Sequence, residues 1–378
     1  MESLGIYIHI PFCKRKCDYC DFYSTCDLSD KLMDRYLKAL ISQIDEYFQY
    51  GKPSVDTVYL GGGTPSVFGG KRIEKLLKEL SARVQLARNA EITVEVNPES
   101  VDEKLLKRLK AAGVNRISMG VQSADDNELK ALGRLHDWQG AVGAYELTRR
   151  YFDNISLDLI YGLENQTLDG WMDSLRKVMA LSPDHISCYC LKVEEGTPLA
   201  LRGCVQPDED VQADMYLRAV ETLETGGYRQ YEISNFARNG RVSRHNSKYW
   251  DLSPYLGLGC AAHSLYGGQR FSFVKDIKAY IEGVEGRKPV AEDVDELAYI
   301  NRSGEYVMLK LRTVEGIDPT VFERRFEVPF GPYEDILRKY IASGHAAVTD
   351  GHYHLTPTGF LVSNVIIGDL VNSVCGAE

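Results

Sequence analysis

The stretch Ile6-Tyr7-Ile8-His9-Ile10-Pro11-Phe12-Cys13-Lys14-Arg15-Lys16-Cys17-Asp18-Tyr19-Cys20 decides how the chain is read. Its first five residues alternate branched apolar with aromatic side chains, the period-two pattern of a strand, and Pro11 ends it. Three thiols then crowd into eight residues, so whatever they bind lies directly past the carboxyl end of the first strand. Spacings of three and two residues let one short loop wrap three corners of an iron–sulfur cubane, leaving the fourth iron open to a small molecule. The same spacing would also serve a structural zinc site completed by Cys26 or His9.

Working outward, short β-branched runs alternate with segments of helical period as far as about residue 236. Strands are expected at 6–10, 57–61, 91–97, 116–121, 154–161 and 185–191, with a seventh near 228–235. Helices are expected at 29–50, 70–86, 102–112, 124–132, 138–152, 167–181 and 208–225. In the second helix Ile73, Leu76, Leu77 and Leu80 share one face and charges take the other. Strand followed by helix, repeated, implies parallel strands with right-handed crossovers, hence an α/β fold with a full or partial (β/α) barrel, here a partial (β/α)6 barrel. After about residue 285 the pattern becomes helical, with a hairpin turning at Asp350-Gly351 and a helix starting near Pro357. Residues 1–285 are read as the barrel and its extension, and 296–378 as a small C-terminal helical, winged-helix-like domain.

Length and composition fit this reading. A chain of 378 residues with 44% hydrophobic residues can bury a large core. No run approaches the roughly 18 apolar residues of a membrane span, and the N-terminus has no secretory pattern. The expectation is a cytoplasmic protein, compatible with peripheral contact with a membrane. Nine cysteines, an odd number, three of them clustered, suit metal ligation in a reducing compartment better than disulfides. A formal charge of -10 gives no general attraction to phosphate backbones, so no nucleic acid partner is expected.

Further polar residues collect at the same end of the expected barrel. Gly61-Gly62-Gly63-Thr64-Pro65 ends the second strand, where glycines would let backbone amides approach a ligand. Glu95 interrupts an apolar third strand, Gln122 ends the fourth, and Asp158 interrupts the fifth. Each alone could be a hydrogen-bonded core polar group, but together they mark the catalytic rim of a barrel.

These motifs carry a resemblance. CxxxCxxC with an aromatic residue before the last cysteine is the radical S-adenosylmethionine (SAM) signature. The ordered series IYIHIPFCKRKCDYCDFYS, VYLGGGTPS, EVNPES, RISMGVQS, LGRLH, LDLIYGL and YLGLGCAAHS is similar, over essentially the whole chain, to the oxygen-independent coproporphyrinogen III oxidases and their relatives. The resemblance implies a [4Fe-4S] cluster on Cys13, Cys17 and Cys20. It also implies SAM contacts from Tyr7, Tyr19, Gly62, Gly63, Thr64, Glu95, Gln122, Arg134, Asp158 and Lys192, those of Arg134 and Lys192 resting on it alone. Two departures stand out: Phe22 where the oxidases carry a further cysteine, and His245-Asn246-Ser247-Lys248-Tyr249-Trp250, an HNxxYW stretch. Both point to the HemW-type haem chaperones within this family. The implied partners are haem and haem-receiving proteins; the alternative is oxidative decarboxylation of coproporphyrinogen III. His245 is expected to ligate haem iron, with Arg238, Arg241, Arg244 and Lys248 forming a basic loop for the propionates. His263 is the rival ligand.

Overall fold

Parallel pairing of neighbouring strands sets up the architecture. β1 (Leu4–Ile10), β2 (Ser54–Gly62), β3 (Gln85–Val96), β4 (Arg116–Gln122), β5 (Ile155–Tyr161) and β6 (His185–Cys190) lie side by side in chain order, each parallel to the last. The computed structural model describes residues 3–295 and 302–375. A helix stands in every crossover, which makes the partial (β/α)6 barrel. The helix Gly70–Arg83 buries Ile73, Leu76, Leu77 and Leu80 as its periodicity requires. Full burial of each such side chain contributes roughly 1.5–3 kcal/mol before entropy is counted. Asp102 caps the next helix, Glu103–Ala111, by accepting from the Leu105 amide at 2.6 Å.

The barrel stays open, because both flanks continue as sheet. β7 (Arg229–Glu232) and β8 (Asn235–Ala237) form an antiparallel hairpin whose second strand pairs with β6. The single strand expected near 228–235 is therefore two, broken where the Glu232 carboxylate accepts from the Ser234 amide and the Asn235 side chain. On the other flank β9 (Tyr255–Leu258) runs parallel to β1, followed by antiparallel β10 (His263–Tyr266), β11 (Gln269–Phe273) and β12 (Ala291–Asp295). Sequence pattern did not foresee these strands, which are only four or five residues long.

In the C-terminal part, β13 (Ala346–Thr349) and β14 (His352–Leu355) form the expected hairpin. Asp350 and Gly351 take positive φ of 51° and 83°, the left-handed pair of a type I′ turn. The following helix begins at Pro357. Main-chain bonds Ile233 N to Arg312 O (2.9 Å) and Val314 N to Tyr231 O (3.1 Å) tie the β7–β8 hairpin to this part. The residues around the expected boundary at 296 lie outside those described, and the division 1–285 and 296–378 remains our proposed one.

Candidate functional site

The interior of the open barrel, together with the carboxyl ends of its strands and the loops after them, encloses a cavity of about 510 Å³ that reaches down to Arg116 and His185. Cys13, Cys17 and Cys20 all line it, and none is in a disulfide. Burial raises the Cys13 thiol above its ordinary range and pushes Cys20 up to about 11, with the neighbouring thiols adding to both shifts. Buried thiols such as Cys13 and Cys20 ionise more readily beside a cation, which an iron–sulfur cluster would supply. The alternative zinc ligands fit less well. His9 is buried, with Nδ1 3.0 Å from the Tyr7 hydroxyl and Nε2 3.1 Å from the Tyr23 carbonyl, and Cys26 is exposed and outside the cavity wall.

A hydrogen-bonded arc joins two of the thiols across three strands. Thr64 Oγ1 donates to Cys13 Sγ (3.6 Å), and Asn97 Nδ2 donates to Thr64 Oγ1 (2.9 Å). Arg134 Nη2 donates to Asn97 Oδ1 (2.8 Å), and its Nη1 donates to Cys17 Sγ (3.3 Å). Arg134 and Lys192, which rested on resemblance, both reach the wall; Lys192 sits at its edge, exposed and paired with Glu194 at 2.7 Å. Asn97 is one residue that sequence reasoning missed, as are Tyr59 and Arg116, which also line the cavity. Asn97 stands in the EVNPES stretch, where an Asn before Pro reads as turn chemistry, and its second role shows only in three dimensions.

The glycine turn works differently from the expectation. Its amides already donate to the protein: Gly62 N to Glu95 Oε2 (3.1 Å), Gly63 N to Ile10 O (2.9 Å) and Thr64 N to Phe12 O (2.8 Å). The missing Cβ atoms make room for protein as well. At Gly62 (φ 109°) a Cβ would lie 2.3 Å from the His9 ring, and at Gly63 one would lie 2.8 Å from Ile10 O. The glycines therefore let β1 and β2 close together.

Glu95 and Asp158 face the cavity in contrasting surroundings. Burial, with Asp158 nearby, raises Glu95 to about 7 despite hydrogen bonds from Tyr59 OH (2.6 Å) and the Gly62 amide. Asp158 accepts from three serines, Ser118 (3.0 Å), Ser156 (3.1 Å) and Ser187 (2.6 Å), which meet the burial cost of its charge. Gln122 lines the wall with a positive φ of 71° at an irregularity in the β4–β5 pairing, a strained backbone of the sort that aims side chains at sites. Tyr19 lies at the wall beside Arg134, Cys17 and Cys20.

Two expected residues are not at the wall. Tyr7 lies behind Tyr59, bonded to His9. His245 requires a larger correction: it is fully buried in the helix Arg244–Trp250, with Nδ1 2.9 Å from Thr57 Oγ1 and Nε2 2.9 Å from Tyr249 OH. Both ring nitrogens are hydrogen-bonded within the protein. Three of the four cations of the expected basic loop are engaged within the protein, while Arg241 is exposed. Arg238 stacks over Tyr228 and donates to Gly226 O, Arg244 donates to Asn89 O, and Lys248 pairs with Asp56 at 2.9 Å. Only the pattern of charges was visible in sequence, not that its partners lie on β2, on β3 and in the turn before β7. His263, the rival, is exposed at the start of β10.

Comparison with known proteins agrees with this fold. Residues 7–178 match the Radical SAM superfamily and residues 300–362 match the HemN C-terminal domain. The chain is 37% identical to the heme chaperone HemW of Haemophilus influenzae over 85% of its length and 86% of the relative. It is 34% identical to the heme chaperone HemW of Bacillus subtilis, over 96% and 97%. Among solved structures it resembles the coproporphyrinogen III oxidase HemN of Escherichia coli, a radical SAM enzyme, with a TM-score of 0.85. At 24% identity, over 98% of this chain and 90% of that one, this likeness speaks for the fold.

Proposed function

The chain belongs to the HemW family of radical SAM proteins, and from that membership we propose that it is a cytoplasmic haem chaperone, binding haem and passing it to haem-requiring proteins. The observation that carries the radical SAM part is the arc from Cys13 through Thr64, Asn97 and Arg134 to Cys17 on the wall of one cavity. In this reading Cys13, Cys17 and Cys20 hold a [4Fe-4S] cluster and SAM binds beside it. When bound and reduced, the cluster supplies an electron to the sulfonium of SAM.

The chain's own groups bind and orient. Glu95 accepts from ribose hydroxyls, the Gly62-Gly63-Thr64 turn receives the ammonium group, and Arg134 holds charge beside Cys17. Tyr19, Gln122 and Asp158 shape the remaining wall, and Lys192 the mouth. Tyr7 acts from behind Tyr59. The haem part is supported by the names of the relatives, and His263 is the exposed imidazole that an iron could reach. Phe22 stands exposed at the cavity where the oxidases carry cysteine, which argues against porphyrinogen decarboxylation. Among the described residues no helix is long and apolar enough to cross a membrane.

The test is to give anaerobically reconstituted protein haem and, separately, coproporphyrinogen III with SAM and reductant. A stable haem complex without protoporphyrinogen formation is the expected result; rapid decarboxylation without retained haem would overturn the reading.

A further inference from the structure

Within the HNxxYW stretch Asn246 lines the cavity, while His245 and Tyr249 lie beneath its wall. His245 stacks on Tyr59, ring centroids 5.3 Å apart and planes 26° apart, and Tyr7 lies 6.2 Å from Tyr59 and 6.4 Å from His245. Thr57, which bonds the imidazole, is on the same strand as Tyr59. Tyr249, which bonds its other nitrogen, packs edge-on against Tyr255 at 4.6 Å. The helix carrying both motif residues is anchored by Glu91, whose carboxylate accepts from the Arg244 and His245 amides at 3.2 and 3.1 Å. β1 leaves the space open: a Cβ on Gly5 would lie 2.8 Å from the Lys248 side chain and 3.4 Å from the His245 ring.

We propose that His245 and Tyr249 are positioning residues, which fix the plane of Tyr59 and, through its hydroxyl, the Glu95 carboxylate at the cavity. A tyrosine ring rotates in a broad χ2 well, so its hydroxyl is aimed only as well as its faces are packed. An offset stack with a second ring is a favoured way to hold it. Histidine suits the task because it supplies a flat face together with one donor and one acceptor, which Thr57 and Tyr249 complete. Burial, then Lys248 and Arg116, pushes His245 down to about 3, so it stays neutral and its hydrogen bonds do not change near neutral pH. This assigns the motif a role at the SAM site in place of direct haem ligation.

The groups that face Glu95 are Tyr59 from β2, Asp158 from β5 and Arg116 from β4. Tyr7 from β1 and Tyr249 from the Arg244–Trp250 helix lie within electrostatic range. What the motif does for a ligand rests on the proposal that Glu95 holds the ribose, whereas the ionisation of Glu95 can be read without any ligand.

The test is an infrared pH titration of the Glu95 carboxyl band, identified by its loss in Glu95→Gln, alongside SAM affinity. In the unsubstituted protein the midpoint should fall near about 7. Tyr59→Phe removes a bond to the charged form and should raise it by about 1–2 pH units. His245→Phe and Tyr249→Phe keep ring bulk and lose the hydrogen bonds; both should raise the midpoint in the same direction and weaken SAM. A raised midpoint with unchanged SAM affinity would support the positioning role while removing Glu95 from the ligand. Midpoints identical to the parent in folded His245→Phe and Tyr249→Phe, checked by circular dichroism, would overturn the proposal.

Discussion

Arg134 donates from Nη1 to the sulfur of Cys17 across 3.3 Å. A guanidinium beside a thiolate withdraws negative charge from it, so the cluster should be easier to reduce with Arg134 than without. Arg134→Met is expected to retain iron and sulfide while its reduction potential becomes more negative, as an EPR-monitored redox titration would record. An unchanged potential would remove Arg134 from the cluster's surroundings.

The ligand set is tested by substitution. Cys13→Ala, Cys17→Ala and Cys20→Ala should each abolish the iron–sulfur absorbance. Cys26→Ala, at an exposed residue outside the cavity wall, should leave iron and sulfide content close to the parent. Loss of the cluster in the Cys26 variant would mean a fourth protein ligand and no open iron.

Glu95 gives SAM binding a pH dependence. Its folded value, raised to about 7 from 4.5, leaves the carboxyl substantially protonated in mildly acidic solution. A protonated carboxyl is a poorer acceptor for ribose hydroxyls, so affinity should rise as pH increases through about 7. The same shift favours the folded protein at low pH, and that contribution is lost as pH rises from 4.5 through about 7. Glu95→Gln should weaken SAM by about 10- to 150-fold at high pH, matching a charge-assisted bond of about 1.5–3 kcal/mol, and flatten the profile. Calorimetry across pH measures both; a flat profile in the parent would contradict the role.

Much of this was legible in the sequence, for identifiable reasons. The cysteine spacing, the Gly62-Gly63-Thr64 turn and the polar intrusions Glu95, Gln122 and Asp158 are local signals, and the barrel brings them to one wall. The helix Gly70–Arg83 and the turn at Asp350-Gly351 follow from period and turn chemistry. What failed depended on long-range partners. The cations of residues 238–248 read as a basic loop for propionates because Asp56 is remote in sequence, and His245 read as accessible because nothing local reveals that Glu91 holds its amide and Tyr59 covers its ring.

Gly62 supplies a stability test of the β1–β2 contact. Gly62→Ala would place a methyl group 2.3 Å from the His9 ring on a residue with φ of 109°. Overpacking of this kind costs about 1–3 kcal/mol, so the melting temperature should fall, and the paired change His9→Ala should recover part of the loss. A Gly62→Ala variant as stable as the parent would contradict the close contact.

Haem handling separates the two imidazoles. His263→Ala should weaken haem binding and alter the Soret band more than His245→Ala, whose ring is sealed beneath Tyr59. The reverse order, measured by equilibrium haem titration, would return the ligand role to His245.

A haem chaperone carries haem and hands it on. The most direct measurement is anaerobic stopped-flow mixing of the haem-loaded protein with the apo form of a haem-requiring enzyme, following the acceptor's Soret band. Direct delivery requires the rate of haem gain to increase with acceptor concentration. A rate independent of acceptor concentration, equal to that of haem loss into solution, would contradict it.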